Sequence, residues 1–502
     1  MTSPAPTLER ALAPGSDPSD PSGPAPGRAR RTSWFAPFWR WHFYAGFLVV
    51  PVLAVLAVTG LIYLFRFQVE PVLHPTLMRV EPAVDGFLMP YAVQQQKVVE
   101  ALGTDPELAG AALVSVTEPA GPTSSTRFSL EMPDGSTRDV FVDPYDARVL
   151  GALDPDATLS GAAVRLHANL MTGWVGDAVI EVAVCWGIVS ALTGYVLFVR
   201  GWKARRRVLR HARGTAGRPG GAVRLRDARL RQRHAVGGAV LGVALIGMLV
   251  TGLPWTGVWG AQAQQLVTRG GTSFWSEDHG AVSSPTSTLD ESLPHSHSRD
   301  VPWALGGTER PASAPPGEDD ERAVANVDTA VLVAARAGLA RPLTVAFPEG
   351  EDGVFSAIGY AFTDPTAERT VHVGRFGGEV VSTYGYADYP ALAKVVAHGI
   401  ALHEGRSLGL ANMIGSAALC VLVLFACVSG PLLWWRRRPK DGMLGAPRAR
   451  LPLRTTPVLV VALAALGVLL PLFGASLVLV LLLDHLVLRR VPALGRWFGV
   501  KV

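Results

Sequence analysis

The chain has 502 residues, 49% of them hydrophobic and only 17% charged, with a formal net charge of +5 and a mean hydropathy of +0.27. That much apolar surface excludes an ordinary soluble enzyme and points to several membrane spans separated by polar domains. The basic charge follows the edges of the apolar runs, so it reports membrane topology and gives no case for a nucleic-acid partner.

In chain order, residues 1–27 are rich in Pro, Ser, Gly and Ala and have no apolar core; the region 1–37 is expected to be a disordered cytoplasmic tail. No cleavable signal peptide precedes the first span (38–66), which is expected to act as an uncleaved anchor. A span takes about 20 mostly apolar residues, and the apolar cores lie at 43–65, 178–199, 235–258 and 408–434. They divide the chain into a first outer module (67–165), a second span (166–200), a basic loop (201–233), a third span (234–258), a linker with a second outer module (259–397), a fourth span (398–435) and a loop (436–455). Residues 456–490 are apolar around "PLFG" (471–474), too long for one span and short for two, and are predicted to form a tight hairpin before a tail at 491–502.

Segment 200–233 carries 13 Lys/Arg against one acid, Asp227, and 436–454 carries seven. With Arg28, Arg30, Arg31 and Arg40 before the first span and Arg489 and Arg490 after the last, the positive-inside rule puts all of these on the cytoplasmic side. The expectation is a plasma-membrane protein with six spans and both termini cytoplasmic. Cys185, Cys420 and Cys427 all fall in spans, so no disulfide framework holds the outer modules.

The chain is written twice. His42 and His234 open the first and third apolar runs; each is followed after four residues by a glycine, Gly46 or Gly238, and after 17 by Thr59-Gly60 or Thr251-Gly252. His167 and His403 precede the second and fourth; each is followed after six residues by Gly173 or Gly409 and after 27 by Gly194 or Gly430. The outer segments echo each other: a helical stretch (91–101; 325–338), then strand-like runs (112–117, 125–131, 137–143; 342–347, 354–360, 369–374), which predicts a small α+β module in each. Residues 276–320 are a flexible insertion peculiar to the second copy.

The "WRWHFYAGF" approach to the first span, "VFVDPYDARVLG" (140–151), "LHANLMTGWVGD" (166–177) and "LHEGRSLGLAN" (402–412) follow one another in the order of a known family. On these motifs the chain resembles the PepSY-associated transmembrane helix family, also called iron-regulated membrane proteins, over essentially residues 38–490. The resemblance implies an α-helical polytopic membrane protein, four repeat-related spans plus a C-terminal helical hairpin, with two extracytoplasmic α+β PepSY-like modules. It also implies a part in iron and siderophore utilisation, since some members resemble haem-containing ferric-siderophore reductases.

Polar side chains repeated at matched depths of membrane helices are costly there and point to function. His42 and His234 sit at the inner level and His167 and His403 at the outer, so each level offers two imidazoles, the usual axial pair of a b-type haem. Gly46 and Gly238 leave room for a flat macrocycle, and Arg40, Arg233, Arg165 and Arg406 are available to its propionates. One or two haems are expected. From His167 to Arg200 a straight helix would measure about 50 Å against a core of about 30 Å, so a bend is expected near Gly173 and Gly409.

Other motifs carry less. "HEGRS" (403–407) lacks the second zinc ligand of a metalloprotease motif, having Ser407 in its place. His398 lies about 140° around a helix from His403, so the two do not chelate one metal. "HSH" (295–297) is a loose metal motif in a Ser-rich stretch, and Asp177 and Glu181 belong either to a proton path or to helix packing. No dinucleotide fingerprint follows a strand. The expected function is therefore a membrane oxidoreductase, fed by a quinol or a cytoplasmic reductase, passing electrons to a ferric-siderophore or other iron complex outside. The alternatives are a membrane-anchored PepSY protein that binds peptides or regulates peptidases, and an iron or siderophore transport component.

Overall fold

The computed structural model describes residues 35–84, 86–260, 287–288, 309–313, 323–359, 364–389, 391–438, 444 and 457–498. The chain begins with α1 (Phe35–Leu64) and the short helices α2 (Arg66–Leu73) and α3 (Pro75–Met78). There follow α4 (Tyr91–Thr104), β1 (Ala112–Thr117), β2 (Thr126–Glu131), β3 (Thr137–Val142) and β4 (Val149–Leu153), then α5 (Leu159–Asn169), α6 (Trp174–Gly214) and α7 (Gly221–Gly252). A two-residue ladder pairs β5 (Ser287–Thr288) with β6 (Glu309–Arg310). The second outer unit is α8 (Val327–Arg336), β7 (Leu343–Ala346), β8 (Val354–Gly359), β9 (Arg369–Gly374) and β10 (Val380–Gly385). It leads to α9 (Ala391–His403), α10 (Leu410–Arg437), α11 (Pro457–Leu469), α12 (Pro471–Leu483) and α13 (Pro492–Trp497).

Among the described residues, five helices are long and apolar enough to cross a membrane: Phe35–Leu64, Trp174–Gly214, Gly221–Trp255, Leu410–Arg437 and Pro471–Leu488. On α1, buried Ala45, Val49, Leu53 and Ala57 recur every fourth residue and line the face turned to the bundle, while Phe47, Leu48 and Val58 are exposed, as lipid contact demands. Helices α1 and α7 each pack between α6 and α10, closing a four-helix ring. Against the sixth span expected, α11 has thirteen residues, about 20 Å of helix, short of a core about 30 Å thick. It turns back onto α12 where a Cβ on Gly467 would lie 3.2 Å from the Gly474 Cα. The hairpin holds α6 through Trp186, whose Nε1 donates to Ser476 Oγ at 3.0 Å and whose ring lies 5.5 Å from that of Phe473.

Both ends of the described chain meet on one face. Arg40 Nη1 and Tyr44 OH donate to the Phe498 carbonyl at 3.1 and 2.7 Å, and the Leu444 amide donates to the Trp497 carbonyl. The basic segment is mostly helical: α6 runs on to Gly214, α7 starts at Gly221, and only 215–220 turns. The apolar runs mark where lipid would lie, whereas helix continues wherever intrahelical hydrogen bonds and good helix formers such as Ala and Arg allow.

The two outer units form one antiparallel sheet, ordered β10-β9-β8-β7-β1-β2-β3-β4. The join is β1 against β7, with Val116 opposite Val345, and it covers an edge that either unit alone would leave open. Helices α4 and α8 cover one core with Val116, Phe128, Val140, Val345, Ala357 and Val371. The units also complete each other chemically. Helix α4 has no side-chain cap of its own; the Asp328 carboxylate on α8 instead accepts from the Tyr91 and Ala92 amides at 2.7 and 2.9 Å. Buried Glu118 accepts from Arg341, from Tyr91 OH and from the Leu343 amide. A carboxylate capping a helix N-terminus stabilises by about 1–2 kcal/mol. Asp328→Ala is therefore expected to lower stability by that amount, read as a fall in the melting temperature by circular dichroism, with Asp328→Asn losing less.

Candidate functional site

Each of the four repeated histidines reaches across to a neighbouring helix. His42 on α1 sets Nδ1 2.9 Å from the Ser190 carbonyl and 3.4 Å from Thr193 Oγ1 on α6. His234 on α7 sets Nδ1 2.8 Å from Ser429 Oγ on α10. His167 on α5 sets Nδ1 2.8 Å from Thr59 Oγ1 on α1. His403 on α9 sets Nδ1 3.0 Å from the Met248 carbonyl and 3.3 Å from Thr251 Oγ1 on α7. Beneath each ring is a glycine: a Cβ there would meet the ring Cε1 at 3.1 Å on Gly194, 3.7 Å on Gly430, 3.7 Å on Gly60 and 3.0 Å on Gly252. One motif thus serves all four sites, a hydroxyl residue followed by glycine: Thr193-Gly194, Ser429-Gly430, Thr59-Gly60 and Thr251-Gly252.

These contacts assign the tautomer. A carbonyl can only accept, so the rings of His42 and His403 carry their proton on Nδ1. Thr59 gives its own proton to the Val55 carbonyl at 2.8 Å, so its hydroxyl accepts from the His167 imidazole, while the Ser429 hydroxyl can take either role toward His234. The rings of His42, His167 and His403 then hold a lone pair on Nε2. None of the four Nε2 atoms has a hydrogen-bond partner among the described residues, and all four rings are half-buried. Nδ1 held by a carbonyl or hydroxyl with Nε2 left as donor is the arrangement of a metal-ligating histidine.

At the outer level two of the rings come together. His167 and His403 have ring centroids 6.3 Å apart with planes at 79°. Two imidazoles bound to one metal at about 2 Å each have centroids about 6 Å apart. His234 lies within electrostatic range of His42. Along α1, His42 and Thr59 are 17 residues apart, which separates the two levels by about 26 Å. Among the described residues no group of three or more His, Cys, Asp or Glu side chains is placed to hold a metal ion. Two imidazoles at a level fit a metal that brings its other ligands with it, as an iron porphyrin does. A Cβ on Gly46 or Gly238 would meet nothing within 4 Å, so the space beside both inner histidines is open.

The 50 Å difficulty disappears because each second helix is broken. Helix α5 stops at Asn169, and Leu170, Met171 and Gly173 take positive φ before α6 begins; Gly405 and Gly409 do the same between α9 and α10. Gly173 (φ 63°, ψ −140°) and Gly409 (φ 57°, ψ −139°) share a conformation that only glycine adopts without strain. His167 and His403 therefore ride on short separate helices folded back against α1 and α7.

The arginines divide. Arg40 is engaged by the Phe498 carbonyl and the Tyr44 ring, while Arg165 is half-buried and Arg233 exposed. Arg406 is buried between Glu368, 3.1 Å from Nη2, and Glu404, 2.5 Å from Nε; Tyr63 OH also donates to Glu404 at 3.3 Å. This junction ties α1, α9 and the second outer unit together beside His403. Burial holds the Glu368 carboxyl at about 7, above its ordinary 4.5, against the pull of Arg406. Folding thus retains a proton that the unfolded chain releases, so this contribution to stability is full below about pH 4.5 and lost as the pH rises through 7. The melting temperature should fall from pH 5 to 8, and Glu368→Gln should flatten that slope.

The remaining candidates have local roles. Asp177 Oδ2 accepts from the Gly257 amide at 2.8 Å and Glu181 Oε2 from the Trp259 amide at 3.0 Å, so both carboxylates receive the chain leaving α7, which is the packing alternative. His398 meets Tyr386 OH through Nε2 at 3.0 Å and stands apart from His403. Asp484 pairs with Arg489. "HSH" (295–297) lies outside the described residues. The partners Ser190, Thr193 and Ser429 are not evident from the histidine spacing; the signal for two of them is the hydroxyl-glycine dipeptide in each apolar run.

A family model described as "PepSY-associated TM region" matches residues 39–437, most of the chain. No curated protein matches it.

Proposed function

The chain belongs to the PepSY-associated TM region family, and on that premise we propose that it is a membrane oxidoreductase holding a b-type haem at each histidine level. It passes electrons from a quinol or cytoplasmic reductase to a ferric complex, such as a ferric siderophore, on the outer side. The observation that carries this reading is the fourfold cradle: four imidazoles held through Nδ1 by a carbonyl or hydroxyl beside a hydroxyl-glycine pair, with Nε2 atoms that have no partner among the described residues and with the two outer rings 6.3 Å apart.

When bound, a b-type haem supplies a one-electron iron couple whose potential depends on its axial ligands. The chain supplies the rest. His42 and His234 hold the inner group, and His167 and His403 the outer. Thr59, Thr251, Ser429 and the Ser190 carbonyl orient the rings and raise the basicity of Nε2. The apolar faces of α1, α6, α7 and α10 keep water away and so favour the less charged state of each site. The outer units are duplicated PepSY-like modules on the extracytoplasmic side. Both termini are cytoplasmic, in keeping with the contacts of Arg40 and Tyr44 with Phe498 and with the basic flanks of the spans.

The test is the spectrum of the purified protein from haem-supplemented cells. A reduced α-band near about 560 nm, at two haems per chain, is expected for b-type ligation; a colourless, folded protein defeats the proposal. Thr59→Val, which removes the acceptor for His167 Nδ1–H at constant volume, is expected to weaken outer haem retention about 10–100-fold. Transfer to apomyoglobin reads that loss directly.

A further inference from the structure

We propose that the paired helical arms at 200–233 are a docking surface for an acidic, soluble one-electron carrier, which delivers electrons to the inner histidine pair. This rests on the oxidoreductase reading above and chooses a protein donor over a quinol.

The arms are a built element. Helix α6 runs 14 residues past Arg200 without a break, and α7 returns from Gly221. The turn between them is closed by Gly221, where a Cβ would lie 2.0 Å from the Thr215 carbonyl and so admits no other side chain. Buried Ala212 and Ala228 let the arms pack closely. The charge of the arms is almost purely cationic: 13 Lys/Arg lie in 200–233, eleven of them exposed. The single acid, Asp227, is taken by Arg436 at 2.9 Å.

Lipid does not account for all of this charge. Orientation in the membrane needs cations near the span ends, and the potential of an anionic bilayer falls off within a Debye length, about 8 Å. The arms reach about 20 Å beyond Arg200, which carries Arg210, Arg213, Arg218 and Arg224 past that range. Lys203 and Arg207, Arg206 and Arg210, and Arg229 and Arg233 repel one another one turn apart, each pair costing a few tenths of a kcal/mol. An anionic partner relieves that repulsion. His234 lies on the same helix, 13 residues or about 20 Å from Gly221, so a carrier docked on the exposed face of the arms sits at the inner-pair end of the bundle. In the transfer the reduced carrier loses one electron and the inner site gains one; no bond or proton moves.

The experiment uses the full chain in nanodiscs of neutral phosphatidylcholine, with flavodoxin as the probe. Binding of oxidised flavodoxin to the haem-free chain is read by surface plasmon resonance, and reduction of the haem-loaded chain by reduced flavodoxin is read by stopped flow. Arg210→Glu, Arg213→Glu and Arg224→Glu together should weaken binding and slow reduction at least about 10-fold, as should raising the salt from about 50 to about 500 mM. The same three positions as lysine should retain both, since the charge is kept. Unchanged binding in the glutamate variant, binding that requires anionic lipid, or tighter binding to an RNA oligonucleotide than to flavodoxin overturns the proposal. Salt-sensitive binding by a chain with no haem spectrum leaves the docking surface standing and removes the oxidoreductase reading. A haem-loaded chain that does not bind removes the docking surface alone.

Discussion

His403→Ala is expected to cost the protein its outer haem and leave the inner one in place, halving the haem recovered per chain. The reason is the division of labour across the two levels. His403 and His167 meet at 6.3 Å, whereas His42 and His234 sit about 26 Å away along α1. Their cradles, Thr59-Gly60 with Thr251-Gly252 and Thr193-Gly194 with Ser429-Gly430, share no residue. Sites without common partners lose function independently. His42→Ala should therefore remove the inner group and leave the outer, and the double variant should be colourless. Redox titration distinguishes the two single variants, because each retains one of two midpoint potentials. A His403→Ala chain that keeps both haems would show that the outer pair does not ligate.

The second large effect comes from glycines that carry no chemistry of their own. A Cβ on Gly194 or Gly252 would stand 3.1 or 3.0 Å from a ring Cε1, tight enough that the ring must give by a few tenths of an ångström, while on Gly60 or Gly430 the distance is 3.7 Å. The four positions look alike in sequence, yet the sign of a substitution should differ between them. Gly60→Ala and Gly430→Ala should be tolerated, with a gain in helix propensity of up to about 1 kcal/mol. Gly252→Leu must push the His403 ring out of line. Overpacking of a filled site costs about 1–3 kcal/mol, a loss of about 5–150-fold in haem affinity if it falls on the bound form. The check is haem occupancy against a melting curve of the haem-free protein. Occupancy lost at Gly252→Leu with the fold intact supports the cradle; equal losses at all four positions would make the glycines mere helix-packing residues.

The sheet shows how much local pattern can and cannot say. Strands were legible to within a residue at 112–117 and 369–374 because alternation and turn residues are properties of neighbours in sequence. That β1 would pair with β7, and that Asp328 would cap α4 of the other unit, was not legible. Register between segments some 230 residues apart depends on which surfaces are left to cover. Arg406 makes the same point. A basic residue three positions from a histidine suits a propionate until the fold places Glu368 and Glu404 on its two sides.

The sequence by itself determined the membrane class, the positions of the apolar helices, the charge asymmetry and the identity of the four repeated histidines. Each of these is written in composition and spacing along one helix. Only the tertiary structure decided that His167 and His403 meet at 6.3 Å from different helices and that each of the four histidines is held by a neighbouring helix. It alone showed that every Nδ1 is spoken for, that no Nε2 has a hydrogen-bond partner among the described residues, and that Gly173 and Gly409 break the helices so that the outer pair can fold back. Tautomer and distance are set by atoms brought from helices far apart in sequence, and no spacing within one helix encodes them.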